Sequence, residues 1–262
     1  MKKLIIESDD FGITPETSRV ILQLLKKKMI TSTNFIVNMP ESKEDAKLAQ
    51  RQGVTKMGIH INLDRHYPVS DPEKIPTLVD PSTQRFWSFD ELLKREVAGR
   101  IGMSDVQREV YAQLELANKF KLEISHITTH HGLAFLDNKF FHLFSQITQE
   151  THLTLRNEIG PFFDPQNKDL FSVEDSMKNV FPNKNYALDA GQKQPFELID
   201  FIRTQADDQS ILVLGHAGKN DKLLEMRSSL NKRREEDLQT FADQRLHSFL
   251  TDPVNQIKLI SY

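Results

Sequence analysis

The hydrophobic pattern opens with an apolar strand that runs directly into two carboxylates. Residues 4–6 are a continuous apolar run, typical of a strand buried on both faces. Asp9 and Asp10 follow it, and residues 14–16 supply a capping hydroxyl, a first-turn proline and an acid, which predict a helix start. The two aspartates are therefore expected between a strand end and a helix start, where α/β proteins build sites. A solvated Asp-Asp turn is the alternative.

Strand and helix patterns then alternate along the chain. The further predicted strands are 33–37, 57–63, 124–129, 152–156, 210–214 and 257–260. The predicted helices are 16–28, 43–51, 89–120 with a break near 102–105 and a second cap at Ser104, 138–149, 196–205 and 238–250. Residues 64–87 and 157–185 are predicted to be loop-rich, the second with one weak helix.

This order of elements predicts an α/β fold with about seven parallel strands in a closed or nearly closed (β/α) barrel. An open doubly wound sheet is the alternative, weakened because the Gly-rich phosphate motifs are absent. Without a recognisable linker, residues 1–262 are expected to form one catalytic domain.

Composition and charge limit the classes of partner, cellular location and metal ligand that we expect. The formal net charge of −3 predicts neither nucleic acid nor an acidic membrane as a partner, and no apolar run approaches a membrane span. The first strand begins too early to leave room for a signal peptide, so we expect a soluble cytoplasmic protein. Because the chain has no cysteine, any metal must be held by histidine and carboxylate. The sequence does not determine the oligomeric state, and a homodimer is compatible with it.

Acid and imidazole side chains recur at the carboxyl ends of four predicted strands. They are Asp9 and Asp10, His60, His130 and His131, and His216. In a parallel barrel these ends open onto one face, so the side chains can converge. Such a set suits metal-assisted hydrolysis: a carboxylate and two imidazoles hold an ion, a second carboxylate takes a proton, and another histidine protonates the leaving group.

Further polar residues lie on or directly after the predicted strands and could support such a site. Arg156 ends another predicted strand and could orient a carboxylate or support the base. His131, Asn62 and His126 could brace the ligands or contact the substrate.

Several motifs resemble the YdjC family of carbohydrate deacetylases, which includes the chitooligosaccharide deacetylases of bacterial chitobiose operons. They are Asp9-Asp10-Phe11-Gly12 after a strand, Thr31-Ser32-Thr33 with Val37-Asn38, Gly58-Ile59-His60-Ile61-Asn62-Leu63, the segment His126 to His131, and Leu214-Gly215-His216. The resemblance covers most of the chain. It implies a deformed β/α barrel like that of the polysaccharide deacetylases, and removal of an acetyl group from an N-acetylated mono- or oligosaccharide.

The resemblance also implies the roles of individual residues. By position, Asp10, His60 and His130 match the metal ligands, Asp9 the general base and His216 the general acid. The implied ion is a single divalent metal, often magnesium, with zinc, manganese or cobalt also compatible with such ligands.

The chain departs from the family pattern at one motif. Thr128 and Thr129 stand where the family has Asp-Ser, and Gly132 stands where it has a third histidine. This departure supports one alternative, a carbohydrate-binding or regulatory protein whose catalytic site has decayed. A metal-dependent sugar-phosphate enzyme is the other alternative, although no phosphate cradle is evident.

Overall fold

The computed structural model describes residues 1–158, 180–188 and 194–262. The strands are β1 (Lys2–Phe11), β2 (Ser32–Phe35), β3 (Lys56–Ile61), β4 (Glu123–Thr129), β5 (Thr154–Arg156), β6 (Val180–Phe181), β7 (Lys184–Ala187), β8 (Ser210–Gly215) and β9 (Ile257–Leu259). The helices are α1 (Pro15–Lys26), α2 (Ser42–Arg51), α3 (Phe89–Val97), α4 (Met103–Lys119), α5 (Asn138–Thr151), α6 (Phe196–Thr204), α7 (Lys222–Arg227), α8 (Arg233–Phe241) and α9 (Gln244–Thr251). No helix in these ranges is long and apolar enough to cross a membrane.

The strands form one curled parallel sheet. Its order is β6-β5-β4-β3-β2-β1-β8-β7, and β9 pairs with the first residues of β1. The two edge strands, β6 and β7, are consecutive in the chain and separated only by Pro182 and Asn183. Asn157, after β5, donates to the Pro182 carbonyl at 2.9 Å, and Asn183 N–H donates to Ser210 Oγ of β8 at 3.0 Å. The sheet therefore curls into a deformed, nearly closed barrel, which confirms the predicted fold class. The described residues form nine strands where about seven were predicted, because β6 and β7 were not predicted from the sequence.

The first strand and helix follow the physics of their sequence. Residues 4–11 of β1 are all buried, as expected for a parallel strand covered on both faces. Thr14 caps α1 by accepting the Thr17 N–H at 3.1 Å, and Pro15 occupies the first turn. The side chains of Val20, Ile21 and Leu24 then face the core. These packed elements fix the position of the loop that carries Asp9 and Asp10.

Three sequence predictions need correction. The segment 157–185 contains the short strands β6 and β7, which are too short to show alternation; residues 159–179, and with them the predicted weak helix, lie outside the described residues. The predicted helix 238–250 is wrong: α8 ends at Phe241, and Asp243 starts α9 by accepting the Arg245 N–H at 2.8 Å. The predicted helix 89–120 is interrupted as expected, but the break covers residues 98–102, and Gly102 is the N-cap of α4 in place of Ser104.

Candidate metal centre and active site

A bulge at the end of β1 turns both aspartates toward one cavity. Ser8 pairs with Thr33 and Phe11 with Phe35, so β1 contains one residue more than β2 between these two pairs. Asp10 has φ +68°, in the left-handed region that non-glycine residues rarely adopt. Regular alternation would send Asp9 and Asp10 to opposite faces of the sheet. The bulge lets both line the same cavity of about 220 Å³.

Asp10, His60 and His130 bring three potential ligand atoms together at the base of this cavity. Asp10 Oδ1 lies 3.3 Å from His60 Nε2 and 3.3 Å from His130 Nδ1, and the two nitrogens are 3.4 Å apart. Tetrahedral ligands on an ion with bonds of about 2.0–2.1 Å would be separated by about 3.3 Å. Asp10 Oδ1 is buried and has no hydrogen-bond partner among the described residues. The donor set and its spacing therefore fit a divalent metal ion.

His60 is oriented for this role by Thr128. The Thr128 hydroxyl donates to the Ile59 carbonyl at 3.1 Å, so its oxygen is free to accept the His60 Nδ1–H at 2.5 Å. The imidazole lone pair is then on Nε2, the nitrogen that faces Asp10 and His130. Thr128 thus supplies an acceptor where the family has aspartate.

Asp9 is held by one arginine and one side-chain amide. Arg156 donates to its two oxygens at 2.5 and 2.9 Å, and Asn34 Nδ2 donates to Oδ1 at 2.7 Å. Although burial alone would raise the pKa of Asp9, the charges of Arg156 and His60 outweigh it and lower this pKa. Asp9 is therefore ionised at neutral pH, with Oδ2 3.9 Å from His60 Nε2 and 3.9 Å from His216 Nε2.

Arg156 does more than hold Asp9. The same guanidinium binds Glu7 at 2.7 Å and Glu158 at 3.0 Å, and its side chain is 3% exposed. Glu7 in turn pairs with His126 at 2.9 Å, and the ring of Tyr262 stacks on His126 with 3.6 Å between ring centroids. A Cβ on Gly58 would approach His126 to 2.4 Å, so only glycine leaves room for this ring. A buried ionic layer beneath the cavity thus fixes the Arg156 that orients Asp9.

His216 reaches the cavity from the end of β8. Its backbone N–H donates to Asp237 Oδ2 at 2.7 Å, which fixes the start of the loop. Desolvation lowers the pKa of its imidazole to about 4, although the charges of Asp10 and Asp9 oppose the shift. The imidazole of His216 is therefore neutral near pH 7 in the protein alone, because the loss of solvation exceeds the attraction of the two carboxylates.

Two arginines that the sequence analysis missed enter the site. Arg234, on α8, is 1% exposed and donates to Asp10 Oδ2 at 2.6 Å. Burial alone would raise the pKa of Asp10, but Arg234 and His130 hold it well below its ordinary value. Arg65 donates from Nε to His130 Nε2 at 2.7 Å. Both arginines stand in charged or loop-like sequence that is typical of solvent-exposed surface, so no local pattern singles them out.

The remaining predicted residues lie around this centre. His131 lines the cavity, stacks on Phe89 with 4.2 Å between ring centroids, and places Nε2 3.4 Å from Asp64 Oδ2. Asn62 is not among the residues that line the cavity; its Oδ1 accepts the Asp64 N–H at 3.3 Å and the Arg65 N–H at 3.1 Å. Asn62 therefore organises the loop that carries Asp64 and Arg65.

Comparison with known proteins finds relatives along the whole chain. A family model described as YdjC-like protein matches residues 3–252. A carbohydrate deacetylase of Thermoanaerobacter pseudethanolicus is 27% identical and covers 100% of this chain and 98% of its own. A carbohydrate deacetylase of Geobacillus stearothermophilus is 28% identical, with coverage of 98% and 96%.

Among solved structures, an Enterococcus faecalis protein with a proposed role in cellobiose-phosphate cleavage has the same fold. It superposes with a TM-score of 0.85 at 22% identity and covers 100% of this chain and 97% of its own.

Proposed function

Because the chain belongs to the YdjC-like protein family, we propose that it is a carbohydrate deacetylase, a hydrolase that releases acetate from an N-acetylated mono- or oligosaccharide. The observation that carries the proposal is the cavity in which Asp9, the Asp10–His60–His130 set and His216 meet. It has the groups that amide hydrolysis needs, each within 4 Å of at least one other. The whole of residues 1–262 would serve as one catalytic domain.

We propose that Asp10 Oδ1, His60 Nε2 and His130 Nδ1 hold one divalent metal ion. When bound there, the ion would polarise the amide carbonyl and lower the pKa of a water molecule. The resemblance favours magnesium, whereas two imidazoles among three ligands are more typical of zinc, manganese or cobalt, so the ion must be measured. Arg234 would neutralise the remaining charge of Asp10 through Oδ2, which leaves Oδ1 for the ion.

Asp9 would take the proton of the attacking water at Oδ2. Arg156 and Asn34 hold Oδ1, and Arg156 also donates to Oδ2 at 2.9 Å, so the position of this carboxylate is fixed before substrate arrives while Oδ2 keeps a second lone pair. The strong pairing makes Asp9 a weak base for bulk water, and it therefore suits only a water that has already become acidic in the site.

His216 would protonate the sugar nitrogen as the C–N bond breaks. The ring is neutral in the protein alone, because its pKa is about 4. Negative charge that develops on the substrate during attack raises the proton affinity of a neighbouring imidazole. His216 is therefore proposed to gain its proton during the reaction and to pass it to the leaving amine.

The substrate would be a small acetylated sugar, and no nucleic acid or membrane is expected to take part. The cytoplasmic location stays a prediction, and the oligomeric state stays open. The deciding experiment is an acetate-release screen over N-acetylglucosamine, its oligomers and their 6-phosphates, with magnesium, zinc, manganese and cobalt each supplied. Asp9→Asn serves as the matched inactive control.

Each result of this screen separates the candidates. Acetate released by the parent and lost in the control supports deacetylation. Sugar binding without acetate release, for every ion, would favour the decayed binding protein. Binding only to the phosphorylated sugars, again without acetate release, would favour the sugar-phosphate enzyme.

A further inference from the structure

His130 is bonded in a way that conflicts with metal binding. Its Nδ1 faces Asp10 Oδ1 and His60 Nε2, so Nδ1 is the nitrogen that would bind an ion. Its Nε2 accepts the Arg65 Nε–H at 2.7 Å. An arginine N–H can only donate, so Nε2 must carry the lone pair and the neutral ring must carry its proton on Nδ1. A metal at Nδ1 requires the opposite tautomer, with the proton on Nε2.

His60 shows the arrangement that His130 lacks. Its distal nitrogen donates to an oxygen, Thr128 Oγ1, and its proximal nitrogen presents a lone pair to the site. Ligand histidines ordinarily donate their distal N–H to an oxygen acceptor in this way. His60 therefore has the tautomer that metal binding requires, whereas the distal nitrogen of His130 accepts a hydrogen bond from Arg65.

An oxygen acceptor for His130 lies next to the arginine. Asp64 has a side chain that is 2% exposed, and its Oδ1 has no hydrogen-bond partner among the described residues. Its carboxylate falls within one group with ring nitrogens of His130 and His131, all within 4.8 Å of one another. Asp64 Oδ2 is 3.8 Å from Arg65 Nε, so the carboxylate and the guanidinium stand side by side.

Arg65 is free to leave without disturbing the backbone. Its side chain is 22% exposed, and its other contacts are the Arg227 carbonyl and His131 Nε2. Its backbone N–H stays bonded to Asn62 Oδ1, as does that of Asp64. A side-chain rotation alone would therefore free His130 Nε2 and leave Asp64 in place.

We propose that Asp64 and Arg65 are a positioning pair for His130: Arg65 occupies Nε2 while no ion is bound, and Asp64 accepts the Nε2 proton once Arg65 moves away and an ion binds at Nδ1. The inference rests on the proposed metal site. It makes Arg65 a competitor of the ion and Asp64 a support of it, so the two substitutions act in opposite directions.

The test is the affinity of the purified, chelator-treated protein for Zn²⁺, measured by competition with a chromophoric chelator. Arg65→Met should bind the ion about 10-fold more tightly, because no charge-assisted bond to Nε2 must be broken first. Asp64→Asn should bind it about 10- to 100-fold more weakly, because a neutral amide oxygen replaces the carboxylate as acceptor of the distal N–H.

Two control variants in the same loop test whether the mere loss of a charge explains the effects. Arg85 stacks on Tyr67, and Asp80 accepts bonds from Ser82, so Arg85→Met and Asp80→Asn remove the same charges away from His130. Both controls should stay within about 2-fold of the parent, because exposed charges are screened. Thermal unfolding of each ion-free variant checks that it is folded.

A second readout reports the tautomer itself. With ¹⁵N-labelled histidine, NMR of the ion-free parent should show His130 protonated at Nδ1, and Zn²⁺ should move the proton to Nε2. The His130→Gln variant assigns the signal. Arg65→Met should lose the preference for Nδ1–H before any ion is added.

The outcomes separate this inference from the proposed function. Unchanged or weaker binding in Arg65→Met, or unchanged binding in Asp64→Asn, overturns the positioning pair while the metal site stands. A parent that binds no divalent ion refutes the metal site and the pair together.

Discussion

Asp9→Asn and Asp10→Asn separate the roles of two adjacent carboxylates with nearly isosteric changes. Asp10 is the partner of Arg234, which is 1% exposed, and its Oδ1 is one of the three proposed ligand atoms. Breaking a buried ion pair costs about 3–5 kcal/mol. For a chain of this size that lowers the melting temperature by roughly 6–20 °C. We expect Asp10→Asn to lose both stability and stoichiometric metal.

Asp9→Asn should behave differently, because Arg156 keeps Glu7 and Glu158 when Asp9 loses its charge. The variant should retain its metal and lose a smaller part of its stability. Acetate release should nevertheless fall by about 10²-fold or more, since no group remains to take the proton of the water.

The assay compares metal content after dialysis, melting temperature and acetate release in the parent and both variants. Conversion of a surface carboxylate, Glu44→Gln, is the matched control, because Glu44 is exposed and pairs with Lys47 at the surface. Equal loss of metal in Asp9→Asn and Asp10→Asn would refute the division of roles. So would an Asp10→Asn variant that keeps its metal.

Four further predictions concern His216, the two ligand histidines, the pH dependence of metal binding, and Glu7. His216→Ala should bind metal normally and lose roughly 10²- to 10⁴-fold in kcat on an amide, yet hydrolyse an activated ester almost as well as the parent; equal slowing of both substrates would exclude the acid role. His60→Ala and His130→Ala should each lose metal on dialysis, and retention in both would disprove the site. Burial alone would lower the pKa of His60, but Asp9 and Asp10 raise it above its ordinary 6.5. Because a protonated imidazole cannot bind an ion, the metal affinity of the parent protein should start to weaken at a pH above 6.5 when the pH is lowered. Metal binding measured as a function of pH checks this. Burial alone would raise the pKa of Glu7, but His126 and Arg156 lower it to about 2, so ionised Glu7 contributes on the order of 3 kcal/mol to the free energy of unfolding. This contribution is complete above the ordinary pKa of 4.5 and is lost as the pH falls toward 2. In urea unfolding, the stability of Glu7→Gln should therefore decline less steeply than that of the parent between these pH values, and an equal slope would count against the pairing.

Local sequence determined the elements with strong periodicity. The apolar run of β1, the Thr14 cap and the helix that follows it depend on neighbours in sequence, and the structure confirms them. The weakest predictions were for elements whose length conceals their period. β6 and β7 have two and four residues, so pairing with β5 and β8 defines them and no local pattern does.

The sequence by itself also determined which strand ends carry chemistry. Asp9, Asp10, His60, His130 and His216 could be chosen because parallel strands of a barrel bring their carboxyl ends to one face. Each lies within 4 Å of at least one other, which follows from that topology, and the family motifs add their proposed roles.

Only the tertiary structure decided how each of these groups is charged and oriented. Arg234 reaches Asp10 from 224 residues along the chain, and Arg65 reaches His130 from 65 residues away. Thr128 sets the tautomer of His60, and desolvation leaves His216 neutral against the attraction of two carboxylates. Tautomers and pKa values depend on solvent exclusion and on charges a few ångströms away in space, and sequence distance carries no information about either.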